Sequence, residues 1–240
     1  MKFSITYSMP YCVMGGLMLL LTVWSCGSSE KTDSQPATTP GTTIQKTPAV
    51  PVSTRQTVLF FGNSLAAGYG VEPSQAFPAL IGEKIDLAGL NYTVVNAGLS
   101  GETTAGGKSR IGWVLRQPVA VFVLELGGND GLRGLPLTAT RRNLQAIMDT
   151  VRRKSPQAVI VLAGMQIPPN LGTEYTREFR GLFRELADKN KAVLIPFLLE
   201  DVGGVPKLNQ ADGIHPNPAG HKIVAETVWS VIRPVLEKKV

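Results

Sequence analysis

Cysteine is almost absent from this chain of 240 residues: there are two, Cys12 and Cys26, and none beyond position 26. Everything after that point therefore has no disulfide framework and no cysteine metal cluster. Histidine is equally scarce, with His215 and His221 as the only two. That leaves too few ligands for a zinc set, so neither metal nor cofactor is expected. Concentrated charge is missing too. The formal net charge is +6, but only Arg141-Arg142, Arg152-Arg153-Lys154 and Lys238-Lys239 form tight clusters. Nucleic-acid recognition calls for a basic stripe interleaved with stacking aromatics; these pairs read instead as solvated helix faces, and no nucleic-acid partner is expected. The apolar run from Val13 to Trp24 carries no charge and is too short for a comfortable membrane span.

That run has the length of a signal peptide's hydrophobic region, and Met1-Lys2 supplies the positive start. It ends in Val23-Trp24-Ser25-Cys26-Gly27, which resembles a bacterial lipoprotein signal in which Cys26 becomes the acylated first residue. Trp24 is larger than the residue usual at that place, and a plain secretory peptide cut nearby is the alternative. In either case the mature protein is expected outside the cytoplasm, periplasmic or anchored through Cys26. Gly27-Ser28 lacks the Asp that commonly retains lipoproteins in the inner membrane, which favours the outer one. Residues 27–56 are rich in Ser, Thr, Pro, Lys and Gln and hold almost no large apolar side chain. Such a stretch cannot bury enough surface to offset its chain entropy, so a flexible tether is predicted.

Beyond position 56 the composition is that of an ordinary globular domain; over the whole chain 43% of residues are hydrophobic and 18% charged. Short continuous apolar runs, the mark of strands buried on both faces, occur at 58–61, 92–95, 120–124, 158–162 and 192–195. Helix-length segments lie between them, at about 74–88, 104–116, 138–154 and 173–190, with a last one at 218–237. Strand alternating with helix implies right-handed crossovers and one α/β domain over 57–240. Its architecture is a three-layer α/β/α sandwich on a five-stranded parallel sheet. In such sheets the loops at the carboxyl ends of the strands carry the site.

Four segments occupy that position or lead into the last helix. Ser64, in Gly62-Asn63-Ser64-Leu65, follows the first strand at a strand-to-helix turn; alone it reads equally as a helix cap. Asp212-Gly213-Ile214-His215-Pro216 precedes the last helix. There a neutral imidazole can take a serine proton if Asp212 holds its tautomer and ring angle. His221 falls inside that helix and reads as a partly exposed helix residue. Glu125-Leu126-Gly127-Gly128-Asn129-Asp130 follows the third strand; its glycines allow close backbone approach and its Asn129 carboxamide suits a developing oxyanion. A Gly-rich turn is the alternative there. In the segment from Asn96 to Thr103 a glycine N–H near a helix start is a second oxyanion donor, or the loop is merely a turn capped by Thr103. A nucleophile, two oxyanion donors, and a base with its orienter make the complete set for acyl transfer.

These segments resemble the blocks of the SGNH hydrolases, also called GDSL esterases and lipases. The resemblance runs from Thr57 to the final helix and is closest to the branch of small bacterial thioesterases, lysophospholipases and arylesterases. It rests on Phe61 to Gly70, on Glu125 to Gly134 and on Asp212 to Asn217. It implies a flavodoxin-like sheet, Ser64 as nucleophile, His215 as base and Asp212 as its partner. The implied oxyanion hole is the Ser64 N–H, the Gly101 N–H and the Asn129 side chain. Asn63 departs from the family, which usually has Asp there. The loop after the fourth strand, with Gln166, Ile167, Pro168 and Pro169, is implied to line an acyl groove. A proline-stiffened surface loop is the alternative.

The expected activity is hydrolysis of short-to-medium acyl esters through an acyl-serine, on an ester, lysophospholipid or thioester substrate, by a monomer. A carbohydrate O-acetylesterase uses the same triad, and a non-catalytic acyl- or glycan-binding lipoprotein is the competing class. The presence of Ser64, His215 and Asn129 argues against the latter.

Overall fold

The run Val58 to Phe61 has no exposed face in the computed structural model, which describes residues 55–238. The segment read as a leader (1–26), with the expected lipid-attachment residue Cys26, and all but the end of the segment read as a tether lie outside the described residues. The first strand, β1 (Gln56–Gly62), begins at the last residue assigned to the tether, because Gln56 is in register with Tyr92 of β2 (Tyr92–Asn96). The strands β3 (Val121–Glu125), β4 (Val159–Ala163) and β5 (Val193–Ile195) complete a parallel sheet in the order β2-β1-β3-β4-β5. β3 is buried throughout and β1 from Val58 on, whereas β2, at an edge, exposes Val95. This explains why the apolar runs are continuous rather than alternating in the middle of the sheet.

The order reverses after β1, so the crossover from β1 to β2 and the later crossovers lie on opposite faces. The first crossover carries α1 (Ser64–Ala67) and α2 (Phe77–Leu87), and α2 packs against α7 (Pro218–Lys238). The other face holds α3 (Thr104–Val114), α5 (Leu137–Lys154) and α6 (Thr173–Asn190), with α5 between its neighbours. In α5 the buried residues Leu144, Ile147, Met148 and Val151 repeat at helical spacing, and in α6 Phe179, Leu182, Phe183 and Leu186 do the same. Alternate residues of β1 serve the two faces. Phe60 meets Phe77 of α2 edge to face at 5.5 Å, while Phe61 lies under Arg110 of α3, 4.2 Å from its ring centre.

Two helical segments differ from the sequence reading. The segment predicted over 74–88 is a single turn at Pro73–Gln75 followed by α2, with Ala76 extended between them. Pro78 forces this break, because a proline is tolerated in a helix's first turn and not in its interior. The Gly-rich stretch after β3 is not merely a turn: it forms a short helix, α4 (Gly128–Leu132). No helix among the described residues is long and apolar enough to cross a membrane.

Candidate active site

Ser64 is the first residue of α1, directly beyond β1. The alternative role as helix cap falls to its neighbour: Asn63 Oδ1 accepts the Leu65 N–H at 2.9 Å and also stands 3.4 Å from Ser64 Oγ. Ser64 is thereby freed of the capping duty, with its side chain largely buried. Gly62 is required just before the turn. A Cβ there would stand 2.4 Å from Glu125 Oε2 and 2.9 Å from the Glu125 carbonyl oxygen. Glu125 itself, at the end of β3, is wholly buried, and its Oε2 accepts the N–H of Asn63 at 3.0 Å and of Ala66 at 3.2 Å.

His215 arrives from 151 positions away, and its Nε2 lies 2.9 Å from Ser64 Oγ. Its Nδ1 is 2.6 Å from Asp212 Oδ2, while Asp212 Oδ1 accepts the Ile214 and His215 N–H groups at 2.9 and 3.0 Å. Such bonds favour the ionised carboxylate. The His215 side chain above all, followed by these two N–H groups, lowers the Asp212 carboxyl to about 2. Gly213, at φ +69°, makes the turn that lets the two side chains converge. The loop is braced from outside: Gln210 Nε2 donates to the Tyr69 and Pro216 carbonyls, and the Tyr69 ring lies 4.8 Å from that of His215.

On the other side of Ser64, Asn129 projects from α4 and donates through Nδ2 to the Glu102 carbonyl at 3.0 Å. A carboxamide carries two N–H bonds, so one remains for a ligand. The loop before α3 lies directly on α1, since a Cβ at Gly98 would fall 2.3 Å from the Ala67 nitrogen. Arg110 holds that loop, bonding both Glu102 carboxylate oxygens at 2.6 Å and the Ala97 carbonyl at 2.8 Å. Gly101 takes φ +79° in it and accepts Arg133 Nη2 through its carbonyl, at 3.2 Å.

A cavity of about 400 Å³ opens from this constellation, with Ser64, Asn129 and His215 in its wall. Gln166, Ile167 and Pro168 line it, together with Met165. Pro169 does not: it begins the exposed single turn Pro169–Leu171, and the chain leaves the cavity at Pro168. Gly101 is not in the wall either; it belongs to the loop whose Glu102 carbonyl binds Asn129. The rest of the apolar lining was missed by the sequence reading. Phe197 and Leu199 after β5, Leu132 of α4 and Ile214 supply it. The rule that sites gather at carboxyl ends of strands would have pointed to Phe197 and Leu199.

His221 is a correction. It is not partly exposed but 1% exposed, because the start of α7 packs against the start of α2. Its Nδ1 accepts the Phe77 N–H at 3.3 Å and its ring lies near-parallel to that of Phe77. Burial, with a smaller contribution from the charge of His215, lowers it to about 4, so it is a neutral acceptor. Among the described residues no group of three or more His, Cys, Asp or Glu side chains could hold a metal ion.

Residues 60–223 match the model of the GDSL-like lipase/acylhydrolase family. The chain is 41% identical over 182 residues to "Esterase TesA" of Pseudomonas aeruginosa, covering 75% of this chain and 90% of that one. It is 36% identical over 181 residues to "Thioesterase 1/protease 1/lysophospholipase L1" of Escherichia coli, covering 75% and 85%. Among solved structures, "Crystal Structure of TesA" superposes with a TM-score of 0.72 at 40% identity, over 75% of this chain and 99% of that one.

Proposed function

The chain belongs to the GDSL-like lipase/acylhydrolase family, and from that premise we propose that Ser64, His215 and Asp212 hydrolyse acyl esters through an acyl-serine intermediate. The protein is an ester-cleaving serine hydrolase of this family. The observation that carries the assignment of residues is the unbroken line Ser64 Oγ to His215 Nε2 at 2.9 Å and His215 Nδ1 to Asp212 Oδ2 at 2.6 Å.

In the proposed cycle His215 Nε2 takes the Ser64 proton as Oγ attacks the acyl carbon. Asp212 keeps the Nδ1 proton in place and stabilises the imidazolium. The oxyanion forms against the Ser64 N–H and the second Asn129 N–H, and the Gly101 N–H is the third proposed donor, from outside the cavity lining but on the loop tied to Asn129 through the Glu102 carbonyl; loss of one such donor costs about 3 kcal/mol in the transition state. Collapse expels the alcohol or thiol, which leaves with the proton from Nε2. A water then gives its proton to His215 and attacks the acyl carbon, releasing the acid and restoring Ser64.

The apolar wall of Met165, Ile167, Phe197 and Leu199 suits the acyl chain, and short-to-medium acyl esters, lysophospholipids and thioesters are the proposed substrates. A monomer is the proposed state. Residues 57–240 are the proposed catalytic domain. The leader and its Cys26 support export and attachment to a membrane outside the cytoplasm, with residues 27–56 as tether.

The test is hydrolysis of a p-nitrophenyl ester series from acetyl to laurate, with the thioesters alongside, and labelling by a fluorophosphonate probe. Wild type should hydrolyse and label; Ser64→Ala should do neither. Equal hydrolysis by the two would sink the assignment.

A further inference from the structure

Glu125 is the most deeply buried carboxyl in the site region, and nothing in the proposed cycle uses it. It sits at the end of β3, 0% exposed, directly beneath the turn that carries Ser64. Its Oε2 receives the N–H groups of Asn63 and Ala66, which flank Ser64 on either side, at 3.0 and 3.2 Å. Gly62 is the position where a side chain would displace it, with a Cβ 2.4 Å from the same oxygen. Its other oxygen, Oε1, is buried with no hydrogen-bond partner among the described residues.

Resting on the assignment of Ser64 as nucleophile, we propose that Glu125 is a positioning residue. Its carboxyl clamps the Ser64 turn through the N–H groups on both sides, and its bound proton keeps negative charge away from the oxyanion site.

The surroundings support both halves. A carboxylate in this place would carry a charge with one oxygen unpaired and no cation against it, a costly arrangement. The charged group felt at Glu125 is another acid, Glu102 of the loop before α3, itself paired with Arg110. Burial chiefly, and then Glu102, hold the proton on Glu125; the Asn63 and Ala66 N–H groups and the Asn63 carboxamide work the other way, and the balance lies at about 8. Asn63 caps α1 through its Oδ1, and its carboxamide offsets only part of the effect of burial on the Glu125 proton.

Below about pH 8 the clamp is neutral, and the Ser64 N–H acts on the oxyanion unopposed. Above it, the new anion repels the oxyanion from behind. The sign follows: kcat should fall as pH rises through about 8, with KM little changed, because the acyl cavity is untouched.

Three variants of the full-length enzyme test this, with kcat and KM measured from pH 6 to 10 on a soluble p-nitrophenyl ester. Glu125→Gln keeps an acceptor for both N–H groups and places an NH2 where the acid has its hydroxyl. It should retain kcat within about threefold at pH 7 and lose the decline above pH 8. Glu125→Ala, without the acceptor, should lose at least tenfold in kcat with KM near wild type. Asn63→Asp adds an acid beside Glu125 and should move the decline to higher pH. The proposal is overturned if wild type shows no decline, or if Glu125→Gln keeps the same one. Folding of each variant is checked by its circular dichroism, and the Gln variant decides the matter even if the Ala variant does not fold. Ser64→Ala is run in parallel: activity surviving there would defeat the nucleophile assignment, whereas an unaltered Glu125→Gln profile would defeat the clamp alone.

Discussion

The Asp130 carboxylate takes both donors of Thr104, the N–H at 2.8 Å and the hydroxyl at 2.5 Å. Asp130 is buried on α4, one residue after Asn129, and Thr104 is the first residue of α3, two after Glu102. The pair locks the two proposed oxyanion loops to each other.

Asp130→Asn replaces one acceptor oxygen by an amide NH2 that faces a Thr104 donor. Leaving such a buried group unsatisfied costs roughly 1–3 kcal/mol. Thermal denaturation should show that loss, and kcat should drop at least tenfold through misplacement of Asn129, with KM changed less.

Asp212→Asn should lower kcat on the order of 10³–10⁴-fold, because an amide at this place favours the wrong imidazole tautomer. The wild-type carboxylate stays ionised down to about pH 2. Protonation of Asp212 should therefore play no part in any loss of activity in mild acid, which a kcat/KM profile checks.

His221 makes stability depend on pH. In the unfolded chain a histidine binds its proton near about 6.5, whereas the folded protein resists until about 4. Between these values the unfolded state binds more protons, so stability falls as pH falls. The full extent is of the order of 3 kcal/mol at one pKa unit per 1.36 kcal/mol. Urea midpoints from pH 7 to 4 should decline for wild type and decline less for His221→Gln.

Glu125 should act in the opposite sense. Its unfolded carboxyl ionises near about 4.3 and the folded one near about 8. Over that window the folded state holds the extra proton, so this residue contributes less stability as pH rises. The melting temperature of Glu125→Gln relative to wild type should therefore increase from pH 5 to pH 8.

Phe197→Ala should move the preferred acyl chain toward longer members of an ester series, since Phe197 lines the cavity with Gln166 and Ile167 and its truncation enlarges that space. The checking measurement is kcat/KM from acetyl to laurate; an unchanged profile would place the acyl chain elsewhere.

Local pattern alone was enough for the strands and for most helices. The span 173–190 was read to the residue, because Phe179, Leu182, Phe183 and Leu186 repeat at helical spacing whatever they pack against. Chemistry narrowed the base as well: a chain with two histidines, one inside a helix, leaves His215. Pro169 and Phe197 show the limit. Which residues of a loop face a cavity depends on where the chain turns and on what the neighbouring strand's loop contributes.

For Ser64 and His215, local pattern was enough to give the residue types, the strand end that Ser64 follows and the last helix that His215 precedes. Only the tertiary structure brought His215 Nε2 to 2.9 Å from Ser64 Oγ across 151 positions. It alone buried His221 against Phe77, 144 positions away, and set Glu125 beneath the nucleophile turn. Periodicity and turn chemistry are local and so are written in short segments. Desolvation and the company of a buried charge are set by whichever distant surfaces the parallel sheet brings together.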